Sequence, residues 1–100
     1  MTLANGYETK TTFWEDFTIA EVFGDHAVKD TFNRAFKEWK NDITYVTELA
    51  VVTNLKCWQW YEKGNDKLSK LYSDYYYKVQ DYVYSHFKGE DIDYYFNITD

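Results

Sequence analysis

Residues 43–63 (ITYVTELAVVTNLKCWQWYEK) constrain the fold of this chain more than any other stretch. Wound as an α-helix, at about 100° per residue, they place apolar side chains on nearly every side. Such a helix must either be covered on several sides by its neighbours or span a membrane. A span needs roughly 20 predominantly apolar residues, whereas Glu48, Asn54 and Lys56 interrupt this stretch. We therefore expect a central helix that is wrapped by the other segments of the chain.

The composition predicts one domain with a largely aromatic core. The chain has 100 residues, an ordinary size for a single domain, and 22% of them are aromatic, including eleven tyrosines. Proline is absent, which favours long uninterrupted helices. We therefore predict an all-α bundle of about four helices that spans residues 1–100 as a single domain.

A first helix is expected after an arm at 1–11, which we predict to be loose or strand-like. Thr12 and Glu15 match a capping box at the start of a helix over about 13–23. Gly24 ends this helix, because glycine tolerates the left-handed backbone of a helix end. The side chains expected to point inward are Phe13, Phe17 and Ala20, with Trp14 and Val22 as further candidates.

A second helix is expected over roughly 26–41, with Asp25 as its cap. Its apolar residues form one narrow stripe, which is typical of a surface helix that packs on a core. The stripe consists of Val28, Phe32, Ala35, Phe36 and Trp39. Asp42 then caps the central helix.

A fourth helix is expected over roughly 66–88, after a turn and cap at Gly64-Asn65-Asp66. Its apolar side covers an arc of about 160°. This side comprises Leu68, Leu71, Tyr72, Tyr75, Tyr76, Val79, Tyr82, Val83, His86 and Phe87. The remaining residues, 89–100, form an acidic aromatic tail that we expect to dock across the bundle.

Charge and cysteine content narrow the function classes. The net charge is −6 and the pI is near 4.8, which argues against direct nucleic-acid binding because that binding depends on lysine and arginine. An acidic surface suits a basic protein partner instead. Cys57 is the single cysteine and residues 1–10 show no signal-peptide pattern, so we expect a cytoplasmic protein.

The sequence offers few groups for catalysis or metal binding. We predict no catalytic base at either histidine: His26 falls at a predicted helix start and His86 on the apolar side of the fourth helix. A nucleophile pair of Cys57 and His86 would require the fold to bring the two residues together. Glu90, Asp91 and Asp93 lack the glycine turn and the distal glutamate of a calcium loop. We therefore expect a non-enzymatic protein with no metal or cofactor.

Surface tyrosines are the remaining functional signal. Tyr77 and Tyr84 lie seven residues apart on the polar side of the fourth helix, and Asp74 and Asp81 flank them at the same spacing. Tyrosine is enriched at protein interfaces. We therefore predict a partner-binding surface there, extended by the tail. Its predicted members are Asp74, Tyr77, Asp81, Tyr84, Glu90, Asp91, Asp93 and Tyr94.

The central helix carries two tryptophans that one neighbour cannot cover together. Trp58 and Trp60 lie about 200° apart on a helical projection. Four helices can leave one of them exposed, and an exposed tryptophan is a candidate interface anchor. Together with the all-round apolar character of the helix, this makes a homodimer a reasonable expectation.

Several segments resemble the small uncharacterised proteins of phages and prophages of low-GC Gram-positive bacteria. They are TTFWEDFTIAEVFG, DTFNRAFKEWK, TELAVVTNLKCWQWYE and FKGEDIDYYFNITD, so the resemblance covers most of the chain from Thr11 onward. It implies an accessory role in the bacterial cytoplasm. Many such proteins resemble anti-defence inhibitors, including anti-CRISPR proteins that occupy the nucleic-acid-binding clefts of their targets.

Two hypotheses of function follow. The first is an inhibitor that binds a host protein, attracted through its acidic and aromatic surface to a basic channel of a nucleic-acid-binding effector. The second is an oligomeric bundle that binds or sequesters a small molecule such as a nucleotide between aromatic faces. The phosphates of such a nucleotide would need several cations close together. The second helix supplies them in Lys29, Arg34, Lys37 and Lys40.

Overall fold

Short linkers divide the chain into four α-helices in the computed structural model, which describes residues 1–87. The helices are α1 (Phe13–Phe23), α2 (Asp25–Trp39), α3 (Ile43–Glu62) and α4 (Asp66–His86). The all-α prediction is confirmed for these residues, where the only β-type pairing is an isolated antiparallel bridge between Thr2 and Glu8. The tail at 89–100, with Glu90, Asp91, Asp93 and Tyr94, lies outside the described residues.

The starts of α3 and α4 were predicted correctly. The side chain of Asp42 accepts hydrogen bonds from the backbone N–H groups of Thr44, at 3.0 Å, and Tyr45, at 3.3 Å. The side chain of Asn65 accepts one from the backbone N–H of Leu68 at 3.0 Å. Each bond satisfies an amide that has no partner within its own helix, which fixes where the helix begins.

The predicted caps of α1 and α2 are wrong, because the side chains of Thr12 and Asp25 bind other side chains and not the backbone amides at the helix starts. No side-chain capping bond forms at Thr12, whose hydroxyl donates to Asp16 Oδ2 at 3.0 Å. Asp25 is the first residue of α2 and not its cap, and its carboxylate pairs with Lys67 Nζ at 2.9 Å. Gly24 separates the two helices with φ +117°, a backbone conformation that favours glycine.

The central position of α3 is confirmed. Every residue from Val46 to Thr53 is buried, although this segment includes the polar residues Thr47 and Glu48. The carboxyl-terminal part of the helix is more open, and Trp58 and Tyr61 are exposed there. The neighbours of α3 therefore cover the segment from Val46 to Thr53 on all sides and leave Trp58 and Tyr61 uncovered near the end of the helix.

The α3 and α4 helices run antiparallel and pack along their lengths. Near the turn, the Ser69 hydroxyl donates to the carbonyl oxygen of Cys57 at 3.0 Å. At the opposite end, the Tyr82 hydroxyl donates to Asn41 Oδ1 at 3.2 Å. His86 was predicted on the apolar side of α4, but it is exposed, and its ring stacks on Tyr82 with the centroids 4.0 Å apart.

Aromatic rings join the helices in the core, as the composition predicted. The Phe32 ring of α2 stacks on the Tyr75 ring of α4, with centroids 4.1 Å apart. The Phe17 ring of α1 meets the Tyr72 ring edge-on at 5.3 Å. Ring pairs of this kind stabilise a fold by about 0.5–1.5 kcal/mol beyond their buried area.

The amino-terminal arm is strand-like only at the Thr2–Glu8 bridge, and it is not loose. Leu3 and Tyr7 are buried in the core. The backbone N–H of Lys10 donates to Glu48 Oε1 at 2.6 Å and that of Thr11 donates to Oε2 at 2.8 Å, while the Thr11 hydroxyl also donates to Oε2. A buried carboxylate of α3 therefore holds the end of the arm.

Replacing Tyr75 with phenylalanine is expected to stabilise the protein by about 1 kcal/mol. The Tyr75 hydroxyl is buried and has no hydrogen-bond partner in the described part of the chain, and an unsatisfied buried hydroxyl is unfavourable. The matched change Tyr72→Phe should destabilise it by about 1.5–3 kcal/mol, because the Tyr72 hydroxyl donates to Glu21 Oε2 at 2.6 Å. Urea denaturation of the two variants measures both effects, and effects of the same sign would contradict this account.

Candidate functional site

The predicted contact residues of α4 do share one exposed side of the helix. Tyr77 and Tyr84 are 57% and 55% exposed, and both Asp74 and Asp81 are exposed as well. We call these four residues the acidic tyrosine face. The two tyrosines are separated by two helical turns, about 10 Å.

The opposite side of α4 anchors this face to the core. Tyr72, Val79 and Val83 are completely buried. Because successive turns of one helix carry both sets of side chains, the positions of the exposed groups are fixed by the packing behind them. The face is therefore displayed on a rigid element and not on a loop.

Two lysines near the acidic tyrosine face contact groups outside it. Lys78 Nζ lies over the rings of Phe36 and Phe32, 5.6 and 5.8 Å from their centroids. Lys67 is paired with Asp25 at the amino-terminal end of α4. Lys70, one turn before Asp74, is exposed and lines the same cavity as that carboxylate, so the negative charge of the face is partly offset at its amino-terminal end.

A second exposed surface, on α1, was not predicted. Ile19, Val22 and Phe23 are 60%, 82% and 68% exposed, and their i, i+3, i+4 spacing places them side by side. The expectation that Val22 points inward is therefore wrong. α1 carries apolar residues on all sides, so their spacing alone could not show which of them face the core. We call these three residues the α1 apolar patch.

An open groove of about 860 Å³ runs between α1 and α2, next to this patch. Ile19 and Phe23 form part of its rim, so the patch and the groove are continuous. Small side chains at Ala20, Ala27 and Ala35 leave the space between the two helices open. Charged residues of both signs line the groove: Lys10, Asp16, Asp30, Arg34 and Glu38.

The two tryptophans of α3 have different environments. Trp58 is 55% exposed, and its ring contacts that of Tyr61 edge-on, with the centroids 5.7 Å apart. Trp60 is partly buried and donates from Nε1 to Glu21 Oε2 at 2.8 Å. The expectation that one of the two tryptophans could remain exposed is met by Trp58.

A buried polar cluster joins α1 to α3 and α4. Glu21 Oε1 accepts a hydrogen bond from Lys56 Nζ at 3.2 Å, while Oε2 accepts from the Tyr72 hydroxyl and from Trp60. Lys56 Nζ also donates to the Thr18 hydroxyl at 2.8 Å and lies 4.2 Å from the centroid of the Trp14 ring. Every charge in the cluster is thus paired, as a buried charge requires.

Burial shifts two pKa values in this cluster. It lowers the pKa of Lys56, and the neighbouring carboxylate of Glu21 opposes this shift. It also raises the pKa of Tyr72, and the hydrogen bond to Glu21 adds to the effect because it is donated by the neutral hydroxyl. Both side chains are enclosed by the core, so we assign the cluster a structural role.

The cations that were expected to hold a phosphate do not form one site. Lys29 lines a cavity of about 300 Å³ together with Lys67 and Lys70 of α4. Arg34 lines the groove between α1 and α2 instead. The second helix therefore distributes its cations over more than one surface.

Cys57 and His86 lie far apart. Cys57 Sγ is 3.5 Å from the hydroxyl of Ser69, and His86 lies 17 residues further along α4, about 25 Å along the helix axis. The fold therefore excludes the nucleophile pair.

Within residues 1–87, no three histidine, cysteine, aspartate or glutamate side chains are grouped as metal ligands. None of the helices in this part of the chain is both long and apolar enough to cross a bilayer.

Comparisons with protein-family models, with curated proteins and with solved structures found no match to this chain.

Proposed function

We propose that the protein acts without catalysis by binding a host protein, and that the acidic tyrosine face of α4 is the contact surface. One observation carries this proposal. Two tyrosines, each more than half exposed, lie beside two exposed carboxylates on a single side of one rigid helix. Tyrosine provides a large contact area together with a hydroxyl and loses little conformational entropy on binding, which suits an interface.

The charge of this surface favours a partner with a basic surface. Asp74 and Asp81 add to the net charge of −6, which attracts a positively charged protein during the approach to a complex. The nucleic-acid channel of a bacterial defence effector has this chemistry. The resemblance of the sequence to phage proteins supports such a target, so we propose an anti-defence inhibitor, similar to anti-CRISPR proteins, that acts in the bacterial cytoplasm.

The packing behind the face supports tight binding. Because Tyr72, Val79 and Val83 fix the helix from the core side, few groups have to become ordered when a partner binds. A preorganised surface avoids part of the entropic cost of association. The same contact made by a flexible segment would be weaker for an equal area.

Replacing both Tyr77 and Tyr84 with serine is expected to weaken partner binding at least tenfold, since interface tyrosines are frequent hot spots. Asp74→Asn with Asp81→Asn should reduce binding less and should also reduce its sensitivity to salt. The measurement is affinity capture from lysate of a low-GC Gram-positive host, with quantification of the proteins bound by each variant and then titration of the purified partner.

Matched controls lie on α3. Tyr61→Ser removes an equally exposed tyrosine and Glu62→Gln an exposed carboxylate, and both should leave binding unchanged. If the two α3 variants lost the partner while the α4 variants kept it, the assigned contact surface would be wrong.

A further inference from the structure

We infer that the α1 apolar patch and the groove between α1 and α2 form a two-fold contact between two copies of this chain. This inference concerns a different surface from the acidic tyrosine face and does not depend on the proposed function. It starts from the size of the uncovered area. At the exposures given above, the three residues leave roughly 400 Å² in water, which is comparable to the largest apolar patch of a typical monomer, about 300–600 Å², and such a patch is often functional.

The shape of this surface is complementary to itself. In a two-fold interface, each copy uses the same residues, so the surface must offer both a ridge and a recess. Ile19 and Phe23 form a ridge at the edge of a groove of about 860 Å³. When two copies face each other across a two-fold axis, the Phe23 side chain of each copy can enter the groove of the other.

The charges along the groove also favour a second copy. Asp30, Arg34 and Glu38 are exposed and follow one another at intervals of four residues along α2, with alternating sign. In an antiparallel contact shifted by one turn, Arg34 of each copy faces Asp30 of the other, so one register produces two identical ion pairs. The groove as a whole is nearly neutral, with three carboxylates and two cations among its lining residues, so it has no strong preference for a partner of either charge.

The available area suits a dimer of ordinary size. A typical interface buries about 800 Å² on each partner, of which somewhat more than half is apolar. The α1 apolar patch provides about half of this area, and the walls of the groove are available for the rest. Both copies carry a net charge of −6, so added salt screens the repulsion between them at the same time as it weakens the two Arg34–Asp30 pairs. The binding of a basic partner to α4 should instead only weaken with salt.

The test is light scattering after size-exclusion chromatography of the full chain at about 10 to 500 µM. We expect the mass to rise with concentration from 12.1 kDa toward twice that value. Val22→Glu or Phe23→Glu should keep the mass at that of the monomer. Both side chains are exposed, so circular dichroism should show unchanged helicity. Tyr61→Glu, which places the same charge on α3, should leave dimerisation intact.

A charge exchange tests the register. Asp30→Arg alone and Arg34→Asp alone should each weaken the dimer, and the double variant should restore it because its ion pairs are re-formed in reverse. A monomeric mass over the whole concentration range would overturn the inference. A dimer that Val22→Glu does not affect would also overturn it. So would a monomeric protein whose Phe23→Glu variant no longer binds a captured host protein, because the groove would then bind that other partner.

Discussion

Glu21→Ala is expected to lower the free energy of unfolding by about 3–5 kcal/mol, the range seen when one member of a buried ion pair is removed. The substitution leaves three groups without their acceptor: the ammonium of Lys56, the hydroxyl of Tyr72 and the indole N–H of Trp60. Lys56 is only 1% exposed in the folded protein and would keep the Thr18 hydroxyl and the Trp14 ring as neighbours, neither of which carries the negative charge of the lost carboxylate. A domain of this size has a total stability of about 5–15 kcal/mol, so the variant should be close to unfolding.

Urea denaturation followed by circular dichroism measures this effect. Glu15→Ala is the matched control, because Glu15 lies on the same helix and is exposed. Its expected effect is within about 0.5 kcal/mol. A loss below about 1 kcal/mol for Glu21→Ala would contradict the role assigned to the buried cluster.

Glu48→Ala is expected to lower the free energy of unfolding by about 2–4 kcal/mol and to release the amino-terminal arm. Glu48 is fully buried, and its carboxylate accepts hydrogen bonds from the backbone N–H groups of Lys10 and Thr11 and from the Thr11 hydroxyl. Hydrogen bonds to a charged acceptor contribute about 1.5–3 kcal/mol each and are not additive. The substitution also leaves a cavity in the core.

Hydrogen exchange and limited proteolysis distinguish release of the arm from general destabilisation. In the Glu48→Ala variant, the amides of Lys10 and Thr11 should exchange much faster than those of α3, and cleavage should concentrate in residues 1–12. Glu62→Ala, an exposed site on the same helix, should leave both unchanged. Uniform acceleration across all helices would indicate that Glu48 does not hold the arm.

Local sequence signals predicted the helices and two of their caps. Asp42 and Asn65 cap the helices as expected, because each bonds to amides only two or three residues away. The central helix was also predictable, since apolar groups on all sides of a water-soluble helix require neighbours on several sides. Signals that extend over one or two turns were sufficient for these features.

The partners of the buried polar residues could not be predicted in this way. Glu48 meets Lys10 across 38 positions, and Glu21 meets Tyr72 across 51. In the sequence, Glu48 and Lys56 only interrupt an apolar run, and nothing nearby shows what would satisfy them. Such pairs are set by how whole helices pack and not by local spacing.

The two candidate surfaces also differed in whether local spacing in the sequence could predict them. The acidic tyrosine face could be predicted because α4 has one clear apolar side, so that Tyr77 and Tyr84 had to lie opposite it. The α1 apolar patch could not, because α1 is apolar all round and its residue spacing does not show which side faces the core. Val22 was therefore placed on the wrong side.

Photo-crosslinking in host cells tests the central claim most directly, namely that the acidic tyrosine face contacts a host protein. A photoreactive phenylalanine analogue would replace Tyr77 in one variant, Tyr61 in a second and Val22 in a third. We predict a crosslink to a host protein from position 77, none from position 61, and a crosslink to a second copy of the chain from position 22. Host-protein crosslinks from position 61 or 22 but not from position 77 would contradict the account.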